Sequence, residues 1–314
     1  MTDTAARLHD AAQASVAQPG MRRRNVAESL AAWTLACPAL LLLMALFFLP
    51  VLAVFAIALT DWQFGTDTLS FVGLANFRQV FTDSEFRASL TNTLIYVLIV
   101  VPGTVVLGLA IALLIESGKS LRAFYRAIHF VPFMATLAAM AVAWEALLHP
   151  TIGLLNQTLS ALGLPMANWL RDETTVLPVL AVIGIWQNLG FAMVLFLAGL
   201  KSIPQDLYDA ANVDGADSWF DRLRTVTLPM LGPVTMFVVI VVALKAFETF
   251  DTVQILTQGG PGYSSAMLLY TLYRQSFQYL QAGYGAAVSV VFLLIVVALA
   301  LVQARIMDKR VHYQ

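Results

Sequence analysis

Three apolar stretches and one acidic segment carry the residues whose types and spacing could do chemistry. The first apolar stretch, "IWQNLGF", holds Trp186, Gln187, Asn188, Gly190 and Phe191. Amides both donate and accept hydrogen bonds, and aromatic rings cover apolar faces, so this set suits a hydroxyl-rich ligand. In the second stretch Lys245, Glu248, Thr249 and Thr252 follow helical spacing on one face, while Glu145 stands in a third apolar run. A charge placed inside such a run costs roughly 2.5–3.5 kcal/mol on insertion scales. Lys245 and Glu248 are therefore expected either to line a solute path or to pair and lock helices. Gln187 and Asn188 face the same choice between ligand and interhelical bonds, the latter worth about 0.6 kcal/mol on average.

The acidic segment is "IPQDLYDAANVDGADSWFDRLRTVTLP", Ile203 to Pro229, with Asp206, Asp209, Asp214, Asp217 and Asp221 and then Arg222 and Arg224. Ser202 and Gln205 have capping-box spacing, and Pro204 suits a first helical turn. A helix over about Ile203–Val213 is predicted to stop at Gly215 by a left-handed cap. Ser218 and Asp221 can open a second helix with Trp219, Phe220, Leu223 and Val226 on an apolar stripe, and Pro229 is expected to stop it before the next run. Helix connectors usually need about 2–8 residues, and Leu207, Tyr208, Trp219 and Phe220 need something to bury against. A docking surface for another protein explains both features.

Other chemistries find no support. Gly118-Lys119-Ser120 looks like the end of a phosphate-binding loop, but Leu113 stands where that loop requires glycine, so the chain has no ATPase of its own. The single cysteine, Cys37, and the scattered His9, His129, His149 and His312 offer no metal-ligand spacing. No catalytic constellation is present. A net charge of −1 gives no basic surface for nucleic acid.

The elements that must hold these residues are membrane helices. The 314 residues are 59% hydrophobic and only 12% charged, about half the charge of a soluble chain. Runs near Ala31–Leu59, Leu90–Ile115, Ile128–Leu148, Val176–Leu200, Gly232–Phe250 and Gly285–Ala304 are long enough to span a bilayer. The first follows Arg22, Arg23 and Arg24 and exceeds a cleavable signal's apolar core, so it reads as an uncleaved anchor. With the N-terminus inside, the inner segments hold Arg7, Arg22, Arg23, Arg24, Lys119, Arg122, Arg126, Lys201, Arg222, Arg224, Arg305, Lys309 and Arg310. The outer loops hold Arg78, Arg87, Arg171 and Arg274. That asymmetry predicts cytoplasmic termini and a cytoplasmic acidic segment. Residues 1–29 are expected to form a tail, 30–304 one transmembrane domain, and 305–314 a second tail. No internal repeat is visible, which weakens a carrier built from inverted repeats.

The run "YDAANVDGADSWFDRLRTVTLP" resembles the EAA loop of binding-protein-dependent ABC importers. Asp209-Ala210-Ala211, Asp214-Gly215-Ala216 and Val226-Thr227-Leu228-Pro229 match its parts in order and spacing, with Asp209 replacing the family's leading glutamate. "LTQGGPGYSS" (Leu256 to Ser265) and "FVGLANFRQVF" (Phe71 to Phe81) resemble segments of the maltose-type carbohydrate permeases, and the terminal "VHYQ" is similar to the glycerol-phosphate branch. The resemblance implies an all-α, six-helix type I importer permease of the bacterial inner membrane. It also implies a second permease subunit, two ATPase subunits that use ATP and Mg, an extracytoplasmic solute-binding protein, and no cofactor in this chain. ATPase coupling would fall to Asp209, Ala210, Ala211, Asp214, Gly215, Ala216, Phe220, Leu228 and Pro229, with substrate contacts on the segment around Gln187 and Asn188. The alternative class is an ion-coupled secondary carrier working without an ATPase, with Glu145 and Glu248 as its relay carboxylates.

Overall fold

A computed structural model describes residues 26–118 and 120–310. Arg7, Arg22, Arg23, Arg24 and Lys119, with most of the first expected tail and the last four residues of the second, lie outside the described residues. The chain forms two compact units that divide between Ala53 and Val54. The first helical run, α1, comprises Val26–Leu43, a π-helical turn at Met44–Phe48, and Leu49–Ala58. Trp33, Leu35, Phe47 and Phe48 on its first part are exposed, and a helix that is apolar all round suits lipid.

In the second unit the helices are α2 (Ala75–Thr82), α3 (Ser84–Ser117), α4 (Arg122–Met134), α5 (Leu137–Leu147), α6 (Leu154–Ala161) and α7 (Val176–Ser202). There follow α8 (Gln205–Val213), α9 (Trp219–Arg222, continuing through Leu223–Thr227 to Leu228–Met230), α10 (Gly232–Phe247), α11 (Asp251–Leu256), α12 (Leu268–Tyr273, continuing through Arg274–Gln278) and α13 (Ala282–Arg310). Among the described residues, five helices are long and apolar enough to cross a membrane, and six crossings result if α4 and α5 count as one span.

That pair corrects the sequence expectation of a single third span over Ile128–Leu148. α4 and α5 meet at a bend of 103°. α4 runs through Pro132, which leaves the Ile128 carbonyl without its helical partner, and the ladder ends where Ala135 and Thr136 adopt extended backbone. The expected fifth span is also interrupted, because Glu248 (φ −85°, ψ 10°) and Phe250 (φ −133°, ψ −59°) leave helical geometry between α10 and α11. The last helix continues through Arg310, past the expected end of its span at Ala304.

The main core forms where α3 and α7 run against each other, with Val100, Ala112, Leu180, Ala192, Met193 and Phe196 buried between them and their neighbours. In lipid, helices associate by close packing, so small residues mark the contacts. Gly184 leaves the space occupied by the Tyr96 ring, and a Cβ on Gly108 would stand 2.7 Å from the Ala192 Cβ. A second core joins Ala58, Val80, Phe86, Leu268, Tyr284 and Val288.

At the start of α3 lies a buried polar cluster that the sequence did not signal. Asp83 caps the helix, accepting from the Glu85 N–H at 2.8 Å, and also accepts from the Tyr284 hydroxyl at 2.5 Å. Glu85 pairs with Arg274 of α12 at 2.5 Å, their side chains only 7% and 12% exposed, and accepts from Gln275 at 3.2 Å. The guanidinium lies 5.2–5.7 Å from the rings of Tyr263, Tyr270 and Tyr279. Removing one member would strand a buried charge. Glu85→Ala should therefore cost about 3–5 kcal/mol, read as a lowered unfolding midpoint in detergent, whereas Glu85→Leu combined with Arg274→Leu should recover much of the loss. Equal midpoints for wild type and Glu85→Ala would refute that role.

Candidate functional site

The break after α10 builds a polar cavity of about 190 Å³ lined by Tyr96, Phe133, Gln187, Asn188, Lys245, Glu248, Thr249, Phe250, Asp251 and Thr252. Lys245, Glu248, Thr249 and Thr252 share this cavity, as their spacing led us to expect, although the chain leaves regular helix at Glu248 and resumes it at Asp251. Asn188 is 9% exposed and donates to the Gly184 carbonyl at 2.9 Å, bracing its amide against its own helix. Lys245 Nζ sits 4.5 Å above the Phe133 ring. Among the described residues the ion pairs are Arg122–Glu116 and Arg274–Glu85, so Lys245 and Glu248 form no direct lock.

Other expected path residues stand apart from the lining. Phe191 stacks behind Phe133 at 5.0 Å, and Trp186 meets Trp144 edge-on at 5.4 Å. Gly190 serves packing, since a Cβ there would collide with the His129 carbonyl of α4. Glu145 lines a different cavity, of about 230 Å³, with His149, Asn168 and Arg171. The two carboxylates named for an ion relay are thus not assembled in one site. Sequence reasoning missed Tyr96, Phe133, Phe250 and Asp251. Asp251 did carry a signal, as a further charge beside Glu248, but the aromatic walls on α3 and α4 depend on how helices cross.

The acidic segment folds as helix, glycine turn, helix. Its start differs from the expected capping box: α8 begins at Gln205, and the Ser202 hydroxyl donates to the Gly199 carbonyl at 2.8 Å. Ser202 is still the last residue of α7, where a helical backbone directs its hydroxyl back along the helix. Gln205 instead reaches the Asp209 carboxylate at 3.4 Å. The C-terminal turn forms as expected. Gly215 has φ +92°, and the Ala216 N–H donates to the Ala211 carbonyl at 2.9 Å. Ser218 caps α9, accepting from the Asp221 N–H at 3.1 Å. Pro229 does not stop α9, which contains it; the interruption falls at Leu231, where Pro233 withholds an N–H from the Pro229 carbonyl.

Tyr208 and Thr227 join the two knob helices through a 3.1 Å hydroxyl contact, and Val226 is buried. Leu207, Trp219 and Phe220 remain 39%, 60% and 61% exposed, with Asp206, Asp209, Asp214 and Asp217 exposed around them. These exposed side chains and carboxylates share the connection between α7 and α10.

Membrane-crossing helices around a polar cavity, with a two-helix knob on the connection between two of them, define a transport subunit. Residues 104–313 match the family described as binding-protein-dependent transport system inner membrane component, and the chain belongs to that family. It is 33% identical over 285 residues to the sn-glycerol-3-phosphate transport system permease protein UgpA of Agrobacterium fabrum, covering 90% of this chain and 96% of that protein. To the trehalose/maltose transport system permease protein MalF of Thermococcus litoralis it is 32% identical over 272 residues, covering 86% and 90%. The fold is similar to a chain in the crystal structure of a bacterial alginate ABC transporter in complex with alginate pentasaccharide-bound periplasmic protein, with TM-score 0.79 at 19% identity over 91% of this chain and 96% of that one. The protein is a permease subunit of a binding-protein-dependent ABC importer and a component of the inner membrane; it is not an enzyme.

The knob's geometry makes a local claim that can be checked directly. A Cβ on Gly215 would meet nothing within 4 Å, so any penalty comes from its positive φ alone. Asparagine tolerates that conformation and a β-branched residue does not. Gly215→Val should raise the rate of trypsin cleavage at Arg222 and Arg224 several-fold, and Gly215→Asn should leave it near wild type. Identical digestion of the two variants would contradict the turn.

Proposed function

We propose that this chain forms half of the translocation path for a sugar or a related polyol or glycerol-phosphate solute. The observation that carries the reading is the α7–α10 cavity, which gathers Gln187, Asn188, Thr249 and Thr252 with the Tyr96, Phe133 and Phe250 rings. Amides and hydroxyls match sugar hydroxyls, and the rings match the apolar faces of a sugar. Two relatives named above for sn-glycerol-3-phosphate and trehalose/maltose transport support this solute class.

The second half of the path comes from another permease subunit. An extracytoplasmic solute-binding protein delivers the solute, and two separate ATPase subunits consume ATP with Mg; this chain holds no cofactor. The bias of Arg and Lys toward the inner segments supports cytoplasmic termini around one transmembrane domain, and a cytoplasmic knob. The knob seats in a cleft of the ATPase. Asp209, Ala210, Ala211, Asp214, Gly215 and Ala216 shape its first helix and turn, and Phe220, Leu228 and Pro229 belong to the second. Closure of the ATPases on ATP moves the knob and, through α7 and α10, reopens the cavity from the inner to the outer side.

Both halves of the reading are tested in vesicles with the assembled complex. Gln187→Ala and Asn188→Ala should each lower uptake about three- to tenfold, the worth of roughly one net hydrogen bond, with subunit stoichiometry unchanged. Gly215→Val should insert normally yet lose ATPase subunits or uncouple hydrolysis from uptake. Wild-type uptake in both amide variants would refute the path, and wild-type uptake with full stoichiometry in Gly215→Val would refute the coupling.

A further inference from the structure

The charges in the cavity are not balanced. Lys245, Glu248 and Asp251 all line it. The lysine already has a partner, because its ammonium lies over the Phe133 ring, and that ring is held by stacking on Phe191. A cation seated on an aromatic face has part of its charge satisfied there. Glu248 and Asp251 have no such partner, since neither belongs to an ion pair among the described residues. Among the described residues no arginine lines the cavity. Bidentate recognition of phosphate or carboxylate relies on the guanidinium fork, whereas Lys245 offers a single point charge already seated on a ring.

The uncharged lining is well suited to a ligand without negative charge. Asn188 is nine-tenths buried and spends one N–H on Gly184, and among the described residues no donor reaches its carbonyl oxygen. That acceptor, the two carboxylates, the Thr249 and Thr252 hydroxyls and the Gln187 amide offer mostly acceptors to a cluster of hydroxyl donors. Glu248 is exposed and Asp251 half-buried at this cavity, so an entering anion meets both carboxylates.

We propose that this cavity is a charge filter: it admits neutral or cationic polyhydroxylated solutes and rejects phosphorylated and carboxylated ones. The proposal rests on the reading of the cavity as the solute path, and it narrows the solute class left open there. It also separates this chain from its relative named for sn-glycerol-3-phosphate, despite 33% identity.

The test uses the assembled complex with Thr249→Cys in a Cys37→Ser background. Rates of modification by a positively charged and a negatively charged methanethiosulfonate of similar size are compared with those of a free thiol. The cationic reagent should gain at least tenfold over the anionic one, and adding Glu248→Gln with Asp251→Asn should return the ratio to that of the free thiol. Equal gains for both reagents would overturn the filter. A second arm measures uptake of labelled maltose, trehalose, glucosamine and sn-glycerol 3-phosphate by the complex with its binding protein. Uptake confined to the uncharged or cationic probes supports the proposal. Uptake of sn-glycerol 3-phosphate overturns it, and if that uptake falls in Asn188→Ala the path reading survives. A neutral solute transported equally well by wild type, Gln187→Ala and Asn188→Ala overturns the path reading instead.

Discussion

Where α3 crosses α7, Gly184 leaves room for the Tyr96 ring and Gly108 lies against Ala192, so the two backbones come closer than larger residues would allow. No water is expelled when helices meet in lipid, so this fit of small against large is what holds them. The consequences extend beyond packing. Tyr96 becomes one wall of the polar cavity while Gln187 and Asn188, on the facing helix, become another. Gly190 does the same for α4, letting its backbone approach until Phe133 reaches the cavity and Lys245 settles on the ring. A polar pocket in an apolar bundle exists here because glycines set the spacing of the helices around it.

The same helices carry the knob. α7 runs from the cavity to Ser202, and from Asn188 to that end the distance is about 21 Å at 1.5 Å per residue. α10 returns from Gly232 to Lys245. The knob is therefore suspended between two helices that both line the cavity, and the Tyr208–Thr227 contact makes its halves move together. Displacement of α8 and α9 has a short covalent route to the cavity, with a one-residue interruption at Leu231 on one side. Long-range transmission needs no further device than rigid helices sharing a hinge.

Much of this was legible where a local rule decides the outcome. Gly215 is left-handed because only a residue without Cβ enters that region freely, and Ser218 caps because its hydroxyl has an orphan N–H three residues ahead. Gln187, Asn188 and Lys245 were conspicuous because polar groups are costly in apolar runs. The failures share a different cause. Ser202 had the right spacing for a cap but was absorbed into α7, and Pro229 tolerated a helix that Pro233 then helped interrupt. The bend at Ala135 lies in a run whose hydropathy is uninterrupted. Glu85 and Arg274 are 189 positions apart in the sequence, so only the fold could show that one neutralises the other.

If nucleotide-driven movement of the knob changes which side of the membrane reaches the cavity, a residue lining the cavity should report the change. Thr252 is 8% exposed and lines that cavity, which makes it a suitable reporter. In a Cys37→Ser chain, Thr252→Cys in the assembled complex would be treated from outside with a membrane-impermeant maleimide, at rest and with ATP and vanadate trapping the ATPases closed. The account predicts strong labelling in the trapped state and little at rest. Equal labelling in the two states would contradict it.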